Sequence, residues 1–342
     1  MVLILTAVTA AIGATPVTME GLQVHPFTLT VVVPCLDEEE NIVPVYEEIV
    51  TELAGFDDLE ILFVDDGSTD ETLDRIRALA ARDRRVSYLS FTRNFGVEPA
   101  FSAGYRYARN DWILHLDADL QFPPAEGRRL IETARTGYDA VFGIRVDRKD
   151  RWSRRVSSKI HDLIARRLLG IELPAGATTF RLVRASLARR IVDLRLGTPY
   201  FLATVPRLTA AWTTVPTAHR PRLRGEPKVR WRGLARHSVE LFVSYSDRTM
   251  AAAVTACVLA ALLAFAGLAV TLAGVSASVL LCLAAGIALA ALAVMGRYLV
   301  HIGRGQPRTP LYLIREANIP IAPADLLEPG PAQRPARLAA AS

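Results

Sequence analysis

The sequence predicts an open α/β domain on a mostly parallel sheet, followed by a hairpin of two membrane-crossing helices. Three observations predict it. Short apolar runs alternate with helical periodicity from Thr28 to about Gly143, and acidic residues recur where those runs end. Two long uncharged runs then follow each other between Met250 and Gly296.

The apolar runs LTVVVP (29–34), LEILFVDD (59–66), VSYLSF (86–91), WILHLDAD (112–119) and YDAVFG (138–143) read as strands. Helices are expected between them near 43–54, 69–82, 97–109 and 124–136. The second of these puts Leu73, Ile76 and Leu79 on one face, and Ser68 or Thr69 is placed to cap it.

With 342 residues the chain has room for one sizeable domain and more, and 51% of it is hydrophobic. That excess is concentrated. The run from Met250 to Gly274 carries no charge, and after Val275-Ser276 a second uncharged run reaches Gly296. Each meets the roughly 20 residues that a helix needs to cross hydrocarbon. A buried soluble hairpin would rarely stay uncharged on every face for so long. The short link at Gly274, Val275 and Ser276 makes the hairpin tight. Arg248 precedes it, and Arg297, His301, Arg304 and Arg308 follow it, so the positive-inside rule puts both ends in the cytoplasm. The expected protein is a multi-pass cell-membrane protein with its large N-terminal domain on the cytoplasmic side.

Cys35, Cys257 and Cys282 form no metal-binding spacing and no disulfide framework. The formal net charge of +5 is local: nine Lys/Arg face three Asp between Arg145 and Arg167. Such a patch suits lipid headgroups or phosphates, and no groove-reading or aromatic motif supports nucleic acid. Residues 151–169 space Trp152, Val156, Ile160 and Leu163 helically with basic residues between, as an interfacial helix would. Residues 1–14 are apolar without a basic n-region, a poor signal peptide. The division expected is an extension (1–27), a catalytic domain (28–232), a juxtamembrane helix (233–249), two spans (250–300) and a cytoplasmic tail (301–342), disordered beyond Pro320. Homo-oligomer formation is left open.

In open α/β sheets the ligand lies beyond the carboxyl ends of the strands. Here those ends read Pro34-Cys35-Leu36-Asp37-Glu38, Asp65-Asp66-Gly67-Ser68 and Asp117-Ala118-Asp119-Leu120-Gln121. Three carboxylate clusters at one edge need a cation or hydrogen-bond donors, and a hard divalent metal, Mg²⁺ or Mn²⁺, explains them most simply. On an extended segment Asp117 and Asp119 share a face and can address one metal. His115 reads as a packed strand histidine.

VVVPCLDEEENI, ILFVDDGSTDET, RNFGVEPAFSAGYRYARNDWILHLDADLQFPP, FGIR, TTFRLVR and RLRGEPK, in that order, resemble family 2 glycosyltransferases of the GT-A fold. The resemblance is to the dolichyl-phosphate-mannose synthase and polyprenyl-phosphate glucosyltransferase branch. It covers residues 29 to about 245, and the double span with its trailing MGRYLVHIGRGQPRTPLYLIREA looks like the anchor of bacterial members.

By that resemblance Pro34, Leu36, Glu38, Val64 and Asp66 would line the nucleoside pocket. Asp117, Ala118, Asp119 and Gln121 would hold metal and diphosphate, with Asp117, Asp119 and Gln121 as its ligands. Arg145, Arg222 and Lys228 would neutralise phosphates, Arg145 beside the two Asp as part of the catalytic set. The implied partners are a nucleotide-sugar, a UDP-sugar before GDP-mannose, and a polyprenyl phosphate. The implied reaction is an inverting in-line displacement by the lipid phosphate.

The chain departs from the family pattern at several places. Thr179 stands where several bacterial relatives have an acid, Asp37 where many have Asn, and Val97 where many bacterial ones have Lys; GEPKVRW replaces a Gly-x-Ser-Lys-Tyr stretch. Two alternatives compete: a polysaccharide synthase of the same fold, which lacks its Gln-x-x-Arg-Trp motif here, and a catalytically silent membrane scaffold.

Overall fold

The computed structural model describes residues 27–56, 58–145, 163, 167, 169–194, 200–221, 245–273, 278–304 and 311–327. The expected extension, the hairpin link, Arg222, Lys228 and nearly all of both interfacial helices lie outside the described residues.

Eight strands form one sheet in the order β7-β5-β6-β4-β1-β2-β3-β8. Its centre is the predicted parallel set: β1 (Leu29–Cys35), β2 (Leu59–Asp65), β3 (Val86–Phe91) and β4 (Trp112–His115). Strand β1 is apolar apart from the hydrogen-bonded Thr30, because both its faces are covered. Val31 and Val33 pack with Ile42, Val45 and Ile49 of α1 (Glu39–Glu52), and Val32 packs on the opposite side with Phe101 and Tyr105 of α3 (Val97–Tyr107). Helix α2 (Thr72–Arg82) buries Leu73, Ile76 and Leu79 as the periodicity predicts, and α4 (Glu126–Ala134) buries Leu130 and Ile131.

Beyond this centre the sheet is mixed. Strand β6 (Ala177–Arg184) runs antiparallel to both β4 and β5 (Ala140–Arg145), and β7 (Trp212–Thr217) runs parallel to β5. Helices α5 (Ala185–Asp193) and α6 (Phe201–Leu208) cover the same face as α3.

Helix α3 lies so close to β1 that a Cβ on Gly104 would come 2.4 Å from Val32 Cγ1 and 3.3 Å from Val64 Cγ2. Both valines are fully buried and stiff at χ1, so neither can yield. Gly104→Ala is therefore expected to cost about 1–3 kcal/mol, read as a lower denaturation midpoint of the purified protein.

Three expectations are corrected. The ladder of the fourth strand ends at His115, and Asp117 to Gln121 follow in a turn with Leu120 at φ 54°, not on an extended strand. Ser68 and Thr69 do not cap α2: Ser68 Oγ accepts the Asp37 N–H at 2.9 Å, and Thr69 N–H donates to Asp37 Oδ1 at 2.8 Å. Asp70 Oδ1 accepts the first helical N–H, that of Thr72, at 3.0 Å.

The third correction is the largest. The sheet does not end near 232, and past Pro320, where disorder was expected, Pro323–Asp325 form a 3₁₀ turn. After the hairpin the chain returns as β8 (Ile314–Ala317), antiparallel to β3 at the sheet's edge. Tyr312 stacks on Phe91 at 5.2 Å between centroids, Arg77 pairs with Glu316, and the Tyr107 hydroxyl donates to Asp325 at 2.7 Å. Four residues of strand give too short a period to read, and Pro320 conceals the packing beyond them.

The two uncharged runs form α7 (Asp247–Leu272) and α8 (Ser278–Arg304), which pack on each other. Ala253 and Ala260 on α7, and Ala284 and Ala291 on α8, are buried at seven-residue spacing, so small residues make the seam. The outer faces carry Phe265, Leu272, Val279 and Leu289, exposed by more than half. A 25-residue apolar helix is about 38 Å long, enough for a bilayer core. The base of α7 is tied to the domain: Tyr245 packs with Ile171 and Ala203, and Ser246 Oγ donates to Leu169 O at 2.6 Å.

Candidate active site

The acidic strand ends do meet at one edge, but most are offset from within. Asp65 is fully buried, accepting from Ser68 N–H at 3.0 Å and from the Ser90 hydroxyl at 2.7 Å. Asp66 accepts the N–H groups of Phe95 (2.7 Å) and Gly96 (2.9 Å), holding the loop after β3. Burial pushes its carboxyl up to about 6 against those two donors. Glu38 Oε2 accepts from Asn41 Nδ2 at 2.6 Å. Donors, rather than a cation, thus account for the charges after β1 and β2, which narrows the sequence argument to Asp117 and Asp119.

The other proposed pocket residues fall in two groups. Pro34 and Leu36 are half-buried at the strand end. Val64 is a core residue: its side chain is fully buried against α3, so it has no side chain to offer a ligand. Ala118 is likewise packed into the core.

Asp117 is the best-supported carboxylate at the edge. Its Oδ2 accepts the Thr179 hydroxyl at 2.6 Å from the neighbouring β6, and 36% of its side chain stays exposed. Burial pushes its carboxyl up, but the facing His115, the Thr179 hydroxyl and the Arg181 charge outweigh burial and hold it below the usual range. It is a carboxylate at any working pH. Asp119 Oδ1 accepts the Gln121 N–H at 3.1 Å, and Gln121 O accepts the Arg220 N–H at 2.8 Å, which ties the turn to the exit of β7. Arg145, at the end of β5, lies with its guanidinium 5.5 Å from the centroid of Phe122, the residue after Gln121. A basic group therefore stands beside the acidic turn.

Beneath Asp117 lies a buried polar layer that sequence reasoning missed. His115 is fully buried as expected of a strand histidine, with burial pushing it down to about 4, so it is neutral. Arg181 is 3% exposed, its guanidinium set over the rings of Phe101, Tyr105 and Phe201, and its Nε donates to the Tyr105 hydroxyl at 2.7 Å. An arginine set between the apolar Phe180 and Leu182 was the legible signal.

Glu98, in the first turn of α3, keeps Oε2 buried with no hydrogen-bond partner among the described residues, and burial pushes it up to about 7 despite Arg181. The folded state then binds this proton more tightly than the unfolded chain. Its contribution to stability is full below the ordinary glutamate range and is lost as pH rises through about 7. Glu98→Gln should therefore gain in melting temperature over wild type by more at pH 8 than at pH 5. Thermal melts at the two pH values check it.

Among the described residues no three His, Cys, Asp or Glu side chains gather as a metal cage. Asp117 and Asp119 still fit a divalent cation of the Mg²⁺ or Mn²⁺ type, which takes one or two carboxylates and completes its shell with water and substrate phosphates.

This sheet, with a carboxylate pair at its carboxyl edge and a basic side chain beside it, lies largely in a segment that matches a glycosyltransferase family model. More particularly, residues 30–192 match the Glycosyl transferase family 2 model, so this segment carries a family 2 domain. It is 31% identical over 205 residues to the undecaprenyl-phosphate 4-deoxy-4-formamido-L-arabinose transferase of Edwardsiella ictaluri (strain 93-146), covering 58% of this chain and 62% of that protein. It is 27% identical over 301 residues to the uncharacterized glycosyltransferase sll0501 of Synechocystis sp. (strain PCC 6803), covering 84% of this chain and 95% of that one. Among solved structures, glucosyl-3-phosphoglycerate synthase of Mycobacterium tuberculosis, in complex with Mn²⁺, UDP and glucosyl-3-phosphoglycerate, aligns with a TM-score of 0.47 at 23% identity, over 65% of this chain and 79% of that one.

Proposed function

We propose that this protein transfers a sugar from a nucleotide-sugar, a UDP-sugar in our reading, to a polyprenyl phosphate at the cytoplasmic face of a membrane, with inversion. One observation carries the proposal. The strand before the apolar hairpin, β7, and the strand after it, β8, belong to one sheet whose carboxyl edge bears Asp117 and Asp119. A domain on one side of a bilayer must send out and receive back an even number of spans, which α7 and α8 provide. Arg248 and Arg297 at their ends favour the cytoplasmic side. A lipid acceptor held by the bilayer is thereby kept at the height of a transferase site, and the relative from Edwardsiella is named for an undecaprenyl phosphate substrate.

In this reading Asp117 and Asp119 hold a divalent cation, which supplies positive charge to the diphosphate of the donor. Arg145, with Arg222 and Lys228, offers phosphate-matched donors to the donor or the acceptor. Pro34, Leu36, Glu38 and the strand end at Asp66 border the nucleoside. Thr179 spends its hydroxyl proton on Asp117 and is no base. None is required, because a phosphate monoester with its second pKa near 6 is already largely dianionic at neutral pH. The protein's task is alignment and charge neutralisation.

The test incubates membranes containing the protein with polyprenyl phosphate, Mn²⁺ and a panel of radiolabelled nucleotide-sugars. Label should enter the lipid phase with one donor, and Asp119→Ala should prevent it. No transfer from any donor, or equal transfer by the variant, would overturn the proposal.

A further inference from the structure

We propose that His115 and Thr179 are positioning residues that clamp Asp117 from the core side, and that Tyr105 and Arg181 fix His115 for that task. The inference rests on Asp117 being the cation ligand proposed above.

A chain of polar contacts links Arg181 to Asp117 through Tyr105 and His115. Arg181 lies opposite His115 in the β4–β6 register. Its Nε donates to the Tyr105 hydroxyl at 2.7 Å, and a guanidinium can only donate, so the tyrosine oxygen is the acceptor there. In the proposed arrangement the tyrosine gives its own proton to its other neighbour, His115 Nδ1, at 3.3 Å. A ring nitrogen that accepts is unprotonated, so the neutral imidazole carries its hydrogen on Nε2. That Nε2 is 3.5 Å from Asp117 Oδ1.

The imidazole cannot turn away. Phe101 meets it edge-on with centroids 3.7 Å apart, and no part of the ring is exposed. At 3.5 Å the contact is longer than an ordinary hydrogen bond, and Nε2 is buried with no hydrogen-bond partner among the described residues, so in dry surroundings the carboxylate is the nearby group its polar N–H can interact with.

Meanwhile the Thr179 hydroxyl holds Oδ2 at 2.6 Å. Each carboxylate oxygen thus has one polar neighbour on the core side, while part of the side chain stays exposed to a ligand. A ligand oriented in this way loses less freedom when a cation arrives. A threonine suits the position because a hydroxyl can donate, whereas an ionised acid there could only repel Asp117.

The experiment uses the full chain purified in detergent, with Mn²⁺ as probe and the unbound ion followed by electron paramagnetic resonance. Thr179→Val and His115→Phe should each raise the Mn²⁺ Kd by about 10–100-fold. His115→Gln, which keeps an N–H at the ring's position, should recover part of that loss. Separately, ¹⁵N spectra should find the His115 proton on Nε2 in wild type and shared between the nitrogens in Tyr105→Phe. Variants that melt lower but bind Mn²⁺ with the wild-type Kd would overturn the clamp, as would a wild-type His115 protonated at Nδ1. Wild type that binds no Mn²⁺ would overturn the cation reading instead, and the ring-proton measurement would still decide the clamp.

Discussion

Asp117→Asn should lower sugar transfer by about 10²–10³-fold, the loss typical of removing one group that stabilises transition-state charge. The substitution is close to isosteric, and an asparagine oxygen can still accept the Thr179 hydroxyl now 2.6 Å from Oδ2. What disappears is a full negative charge at the edge of the sheet. The fold should therefore survive, with a melting temperature near that of wild type, while label entering the lipid phase nearly vanishes. Because its surroundings already hold Asp117 below the usual carboxylate range, the defect should be the same at pH 6 and pH 8. A defect confined to one pH, or a variant as active as wild type, would show that this carboxylate does not carry the charge assigned to it.

The second large effect should come from ending the chain after Pro310, with both apolar helices retained. The truncation removes Tyr312, which stacks on Phe91, and the fully buried Ile314. Burying two such side chains is worth about 3–6 kcal/mol, within reach of the entire 5–15 kcal/mol that holds a typical domain folded. It also strips Glu316 from Arg77 and from the Tyr88 hydroxyl, and reopens β3 as an unpaired edge. The truncated protein should fail to accumulate or lose its cooperative melt. If it cannot be recovered at all, Ile314→Ala in the full chain tests the same contact, with an expected cost of about 2–5 kcal/mol. A dispensable tail would leave both proteins with wild-type melts.

The legibility of the fold followed burial. Strands β1 to β3 and helices α1 to α4 were readable because each is covered on a definite face and so carries an unbroken apolar run or a 3.6-residue period. Strand β6 was not, because ATTFRLVR mixes polar residues that face the site with apolar ones that face the core. At the active edge, the residue types pointed to charge and phosphate chemistry, but composition does not say which carboxylates already have donors. Asp65, Asp66 and Asp37 turn out to be engaged by loop N–H groups and hydroxyls, which only the backbone's path after β2 and β3 could provide.

By itself, then, the sequence determined the parallel centre of the sheet, the apolar hairpin and the acidic turn, since each depends on residues adjacent in the chain. Tertiary structure alone decided that β8 closes the sheet from beyond the hairpin, and that Thr179, His115, Tyr105 and Arg181 converge beneath Asp117. The physical reason is the same in both cases. Hydrogen bonds and edge pairings between residues tens to hundreds of positions apart leave no period in the sequence, so they exist only once the sheet has brought the strands together.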